Sequence, residues 1–207
     1  FELVGWALAD DVQRTADGQA MVFHDWELDR LTSESGPVIE RSAAQLATIR
    51  LSGSDDCIPS LRQLLDQVAG RVPLLIEVKS RAETRVPVIC LAVRRALEGY
   101  LGPHGVMSFD PRVPKWFKIH SPLTVRGLVV TEENDYTLLG QMRRKLWLWQ
   151  ASPDFLAYDV RDLPSRFAAA QRRRGLPVLT WTVRNAELRE RAALHADAPI
   201  AEGAGVV

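Results

Sequence analysis

The sequence predicts an α/β fold with parallel strands arranged toward a barrel, and three observations carry that prediction. Short apolar runs alternate with stretches of helical spacing along nearly the whole chain. Strands separated by helices of about ten to fifteen residues imply parallel pairing through right-handed crossovers. Charged residues recur at or just after the ends of the apolar runs, at Asp11, Glu77, Asp110 and Asp159. In a parallel α/β barrel the C-terminal strand ends are where an active site forms.

The elements follow in order. Residues 8–12 read as a first strand. Thr15-Ala16-Asp17-Gly18 ends in Asp-Gly, a turn signal, and residues 21–23 form a short strand-like excursion behind it. Ser42 and Ser60 are each followed three residues on by a glutamine, Gln45 and Gln63, which is the capping-box signature of a helix start. The second of these helices runs to Ala69, with Gly70 as its stop. Residues 74–78 read as a strand and 86–100 as a helix. The alternation continues with strand 105–109, helix 113–120, strand 125–130, helix 136–149 and strand 155–158. Residues 163–174 read as a helix with Pro164 in its first turn and Gly175 as its stop. Strand 177–183, helix 186–195 and a short strand at 198–201 close the series. These are seven core strands beside the 21–23 excursion, and a closed eight-stranded barrel would take its remaining strand from before Phe1. No linker or shift in composition interrupts the chain, so residues 1–207 read as one domain.

The 26 basic and 26 acidic residues cancel to a formal charge of zero, which favours neither nucleic acid nor an anionic membrane as partner. The runs Arg143-Arg144-Lys145 and Arg172-Arg173-Arg174 read as solvated helix ends, favourable at a helix C-terminus. No apolar run reaches the ~18 residues of a membrane span. Residues 1–11 lack the basic start, apolar core and small-residue cleavage site of a signal peptide. The expectation is a cytoplasmic protein without stable membrane insertion, acting on a small molecule; a removed N-terminal signal stays open, as does the oligomeric state. Cys57 and Cys90 show no metal-type spacing, and Cys90 reads as a core residue.

The chemistry lies in the charged strand ends. Glu77 and Lys79 share a face, because side chains two apart on a strand point the same way. Carboxylates gathered at one mouth can hold a hard divalent cation, which prefers oxygen ligands. Such a cation polarises a phosphoryl oxygen, a histidine such as His24 can shuttle a proton, and a lysine can neutralise phosphate charge. That combination points to phosphate-ester hydrolysis. Plainer readings stand beside it: Glu77 and Lys79 as a structural ion pair, His24 as a histidine merely held by Asp25, and Trp181 as core.

The pattern D-V-x-x-T-x-D-G-x-x-x-V-F-H-D from Asp11 to Asp25, followed by Leu28-Asp-Arg-Leu-Thr32 and Gly36-Pro-Val38, resembles the glycerophosphodiester phosphodiesterase family, closest to its bacterial, cytoplasmic-type members. Ile58-Pro-Ser-Leu61, Leu75-Ile-Glu-Val-Lys79, Met107-Ser-Phe-Asp110, Pro177 through Val183 and Ala196-Asp-Ala-Pro-Ile200 follow in family order. The resemblance implies a (β/α)8 TIM barrel of the phospholipase-C-like phosphodiesterase type. It implies one divalent cation, Mg²⁺ or Ca²⁺, and hydrolysis of glycerophosphodiesters to glycerol 3-phosphate and an alcohol. By position it makes Asp11 and Glu77 metal ligands, His24 a catalytic acid or base, Lys79 a phosphate-binding residue and Trp181 an aromatic wall of the substrate pocket. The family's His-Arg-Gly and Glu-Asn-Ser/Thr motifs do not appear, and Ala9 stands where the family carries a metal-binding glutamate. Those departures set a non-catalytic barrel that binds a phosphate-bearing ligand as the alternative.

Overall fold

The computed structural model describes residues 8–132 and 137–202. The expectations for residues 1–7 and for Tyr136, the first residue of the predicted 136–149 helix, lie outside the described residues. The described chain divides into two compact units, one spanning Ala9–His104 and the other running from Gly105 onward together with Leu8.

In the first unit, β1 (Leu8–Arg14) and β2 (Ala20–Val22) form an antiparallel hairpin, with Val12 opposite Val22 and Arg14 opposite Ala20. The turn is made by the residues that signalled it. Thr15 Oγ1 donates to Asp17 Oδ1, and Gly18 takes φ +77°, a region that a β-carbon disfavours. β3 (Leu74–Val78) lies on the other side of β1, where the Lys79 amide donates to Val12 O at 3.0 Å. Its residues Leu74, Leu75, Ile76 and Val78 are buried, as befits a continuous apolar run covered on both faces.

The helices α1 (Ala43–Leu46) and α2 (Leu61–Val68) begin at the two predicted serines, each closing a complete capping box with Gln45 or Gln63. α2 stops with Ala69 in the left-handed region and Gly70 directly after it at φ +72°. α3 (Val86–Leu97) ends three residues short of its expected limit, and Gly99 at φ +78° follows. Cys90 is buried in this helix, and neither cysteine is in a disulfide. Met21, Phe23, Leu28, Val38, Leu46 and Ile58 pack together beneath the long connection between β2 and α2. That small core holds the segment carrying His24 and Asp25 in place.

The second unit carries β4 (His104–Ser108), β5 (Val125–Val130), β6 (Phe155–Asp159), β7 (Val178–Val183) and β8 (Ala198–Ala201) in sequential parallel order. The intervening helices are α4 (Arg112–His120), α5 (Leu138–Ala151), α6 (Arg166–Arg173) and α7 (Ala186–His195). Gly127 in β5 is required by close packing: a β-carbon there would come within 2.3 Å of the Phe155 ring on β6. Leu128, Val130, Leu156, Tyr158 and Val178 form the core against Ala151 and Ala168. A polar knot lies within it. The Tyr158 hydroxyl donates to Glu132 Oε1 and lies 3.1 Å from Ser165 Oγ, and Glu132 Oε2 lies 3.6 Å from Arg144. Burial, then the Glu132 carboxylate, push the Tyr158 phenol well above its usual range.

Two local expectations change. Pro164 precedes α6 and is not in its first turn. Ser165 is the N-cap, its Oγ accepting from the amides of Phe167 and Ala168, while a 3-10 turn at Val160–Asp162 takes up the chain ahead of it. The Arg172-Arg173 pair does fall in the last turn of α6. Arg143-Arg144-Lys145, by contrast, sit in the middle of α5, and Arg144 is not solvated but buried, 3.6 Å from the Glu132 carboxylate.

Candidate active site

The first unit assembles four of the five residues singled out by sequence. Asp11 sits in the middle of β1, Glu77 near the end of β3, and Lys79 one residue beyond it. The β1–β3 bond from the Lys79 amide to Val12 O sets the two strands in register. The Lys79 ammonium lies 3.0 Å from Asp11 Oδ1 and 3.2 Å from Glu77 Oε1. His24 arrives from the hairpin, since the Phe23 amide donates to Asp11 O at 3.0 Å and so places the next residue beside Asp11. Its Nε2 stands 3.7 Å from Asp11 Oδ2.

His24 is anchored at its other nitrogen. Nδ1 lies 2.6 Å from Asp25 Oδ1, and Asp25 accepts two further bonds from Arg30, at 2.6 Å from Nε and 2.7 Å from Nη2. The Arg30 hydrogen bonds, reinforced by His24, hold the Asp25 carboxyl down to about 2. An ionised carboxylate can only accept, so the proton on neutral His24 resides on Nδ1 and the Nε2 lone pair faces Asp11. Gln13, two residues beyond Asp11 on the same face, donates through Nε2 to Phe23 O at 2.8 Å and to Asp25 O. It ties the histidine segment to β1.

The electrostatics follow from burial. Burial raises the Glu77 carboxyl; the Lys79 ammonium opposes that shift, and the charge on Asp11 adds to it. Burial alone would lower Lys79, but Glu77 and Asp11 outweigh it and hold the ammonium above its usual range. Ala9 and Asp10 precede Asp11. Asp10 alternates away from it along the strand, and its carboxyl is raised by burial and by the Asp11 charge, with Oδ2 buried and without a hydrogen bond.

Among the described residues, no three His, Cys, Asp or Glu side chains gather to cage a metal ion. Asp11 and Glu77 nevertheless suit a Mg²⁺-type ion, which is held through one or two carboxylates with waters and substrate phosphate completing the shell. Glu77 Oε1 supports the fit: it is buried and makes no hydrogen bond, its contact with Lys79 being an ion pair only.

Trp181 lies in the second unit, on β7, half-buried. Its indole Nε1 donates to Ala157 O at 2.9 Å, and its ring meets Phe109 edge-on at 5.5 Å. The two further strand-end carboxylates, Asp110 and Asp159, each pair with the arginine two residues on, Arg112 at 2.7 Å and Arg161 at 2.5 Å. Sequence reasoning did not single out Arg30 or Gln13. The signal for Gln13 was its alternation with Asp11; Arg30 lay inside the Leu28–Thr32 motif without a stated role.

A histidine beside paired carboxylates and a lysine, on and just after strands of an α/β fold, is the combination that the sequence linked to phosphate-ester chemistry. Solved structures give the barrel. A phosphodiesterase from Oleispira antarctica, in complex with sn-glycerol-3-phosphate, matches with TM-score 0.80 at 21% identity over 96% of this chain and 81% of its own. A protein from Silicibacter pomeroyi described as a glycerophosphoryl diester phosphodiesterase matches with TM-score 0.80 at 24% identity, over 97% and 81%. The Thermotoga maritima glycerophosphodiester phosphodiesterase follows at TM-score 0.71 and 20% identity, over 93% and 80%. No curated protein matches the sequence. The profile of the glycerophosphoryl diester phosphodiesterase family matches residues 10–206, and the chain belongs to that family. Its fold is accordingly an α/β barrel of the TIM type, and its enzyme class is that of the phosphodiesterases acting on glycerophosphodiesters.

Proposed function

We propose that this chain, as a single catalytic domain, hydrolyses glycerophosphodiesters to glycerol 3-phosphate and an alcohol with the help of a divalent cation. The observation that carries the reading is the arrangement about His24. Its Nε2 faces the Asp11–Lys79–Glu77 cluster, while Asp25 and Arg30 hold the opposite nitrogen.

The Lys79 ammonium draws the phosphate and offsets its charge. His24 takes a proton at Nε2 from the attacking hydroxyl, or returns one to the leaving alcohol oxygen. Asp25 fixes the tautomer that makes this possible and stabilises the imidazolium that forms. Asp11 and Glu77 would hold Mg²⁺ or Ca²⁺, which when bound polarises the phosphoryl oxygen. Trp181 would supply an apolar wall for the substrate. The Oleispira relative, held with sn-glycerol-3-phosphate, supports the product class. A small-molecule phosphodiester as substrate accords with the family and with that product complex, and the setting we propose is the cytoplasm.

The test is release of glycerol 3-phosphate from glycerophosphocholine, with Mg²⁺, with Ca²⁺ and after chelation. Turnover that chelation abolishes and cation restores is expected; no cation-stimulated turnover rejects the reading. Ala9 at a position where the family carries a glutamate favours one second reading, a barrel that binds a phosphate-bearing ligand without turnover. Calorimetric binding of glycerol 3-phosphate in the absence of turnover would mark that case.

A further inference from the structure

The formal charge of the chain cancels, but it does not cancel place by place. Helices α4, α5 and α6 carry three Lys or Arg residues each and no Asp or Glu, and one cation on each, Arg112, Arg144 and Arg172, pairs with a carboxylate from outside its helix, Asp110, Glu132 and Asp197. Lys115, Lys118, Arg143, Lys145, Arg166 and Arg173 among these are exposed.

α5 adds an apolar row to this basic face. Leu138, Leu139, Met142, Leu146 and Trp149 are 56–79% exposed. Residues at spacings of three and four share one stripe of a helix, and exposed apolar patches of this kind mark interaction sites. Arg143 and Lys145 border the stripe on either side. The end of α4 extends the surface, since Lys118 Nζ donates to Ser152 Oγ at the end of α5, and Ile119 and Leu123 beside it are exposed. On the other flank a cleft of about 1040 Å³ opens between α5 and α6, where Lys145, Arg166 and Arg174 share the lining with Trp149 and with the acids Glu132 and Asp162.

The charges decide what covers this face. Self-pairing along the stripe would set Arg143 and Lys145 of one copy against the same cations of the next, the arrangement that disfavours homotypic helix pairing. A single acidic helix could match the border of α5 but not cations spread over three helices. We infer that this face docks on an anionic lipid surface. Its apolar stripe would enter the headgroup boundary while Lys and Arg meet lipid phosphates, as interfacial amphipathic helices do. No helix among the described residues is long and apolar enough to cross a membrane, so the contact is peripheral.

Co-flotation of the full chain with vesicles tests this, comparing phosphatidylcholine alone with phosphatidylcholine containing phosphatidylglycerol. Binding is expected only to the anionic vesicles and falls as salt rises. Leu146→Ser/Trp149→Ala and, separately, Arg143→Glu/Lys145→Glu are each expected to weaken binding about tenfold or more. Their thermal melts by circular dichroism should match that of the parent chain. Absence of binding to anionic vesicles, or binding by both double variants as tight as that of the parent chain, overturns the inference. So does a dimer that Leu146→Ser/Trp149→Ala converts to monomer without any vesicle binding. Binding of a Glu-rich amphipathic peptide in place of vesicles overturns it as well.

Discussion

His24 and Lys79 are held in place by different means. The His24 side chain is 63% exposed, so its place is set by Asp25 and Asp11 more than by packing. His24→Ala should therefore leave stability nearly unchanged while lowering kcat by roughly 10²–10⁴, the range for one acid–base group; steady-state hydrolysis with a urea melt reads both. Lys79 behaves oppositely. It is the cation between two carboxylates, one of them buried Glu77, whose pKa is already raised by burial. Lys79→Met leaves those carboxylates facing each other, and breaking a buried pair in this way costs about 3 kcal/mol at neutral pH. The sign of its pH dependence follows from the raised Glu77 carboxyl. Above the ordinary value of 4.5 the folded state holds more protons than the unfolded one, so stability falls as pH rises. Urea melts of Lys79→Met should approach those of the parent chain near about pH 4 and fall furthest behind above neutrality.

At the scale of elements, capping and close packing explain why these stretches are where they are. The Ser42 and Ser60 boxes were legible because a cap is a local pattern, satisfied within four residues. The start of α6 was less so, because Pro164 is as compatible with the residue before a cap as with a first turn. Only the Ser165 bonds to two amides decide between them. Gly127 shows a demand no local pattern carries, the pressure of the Phe155 ring from the next strand. Gly127→Ala should destabilise by about 1–3 kcal/mol through overpacking. Phe155→Leu in the same chain should recover part of that loss, as read by chemical denaturation.

For the whole molecule, binding and turnover can be separated. A ligand that binds only the folded state stabilises it by mass action, about 2.7 kcal/mol at a hundredfold excess over Kd. Glycerol 3-phosphate should raise the melting temperature of the parent chain and of His24→Ala, which keeps Lys79, but not of Lys79→Met. A shift that persists in Lys79→Met would remove the lysine from the phosphate contact. The neutral overall charge gave no hint of the basic, apolar-striped face on α4 to α6, because a sum over the chain carries no positions.

The sequence by itself determined the alternation of strands and helices, the hairpin at Asp17-Gly18, the family, and the residue types available for chemistry. These are local or linear properties: periodicity, caps and motif order. Tertiary structure decided which charges meet. Asp11, Glu77, Asp110 and Asp159 looked alike as carboxylates at strand ends. Asp110 and Asp159 are taken up by the arginines two residues on, while Asp11 and Glu77 share Lys79. Arg30, five residues after Asp25, became part of the histidine's support only when the loop folded back over its small apolar core. Pairing depends on distance in space, and spacing along the chain fixes that distance only within a single element.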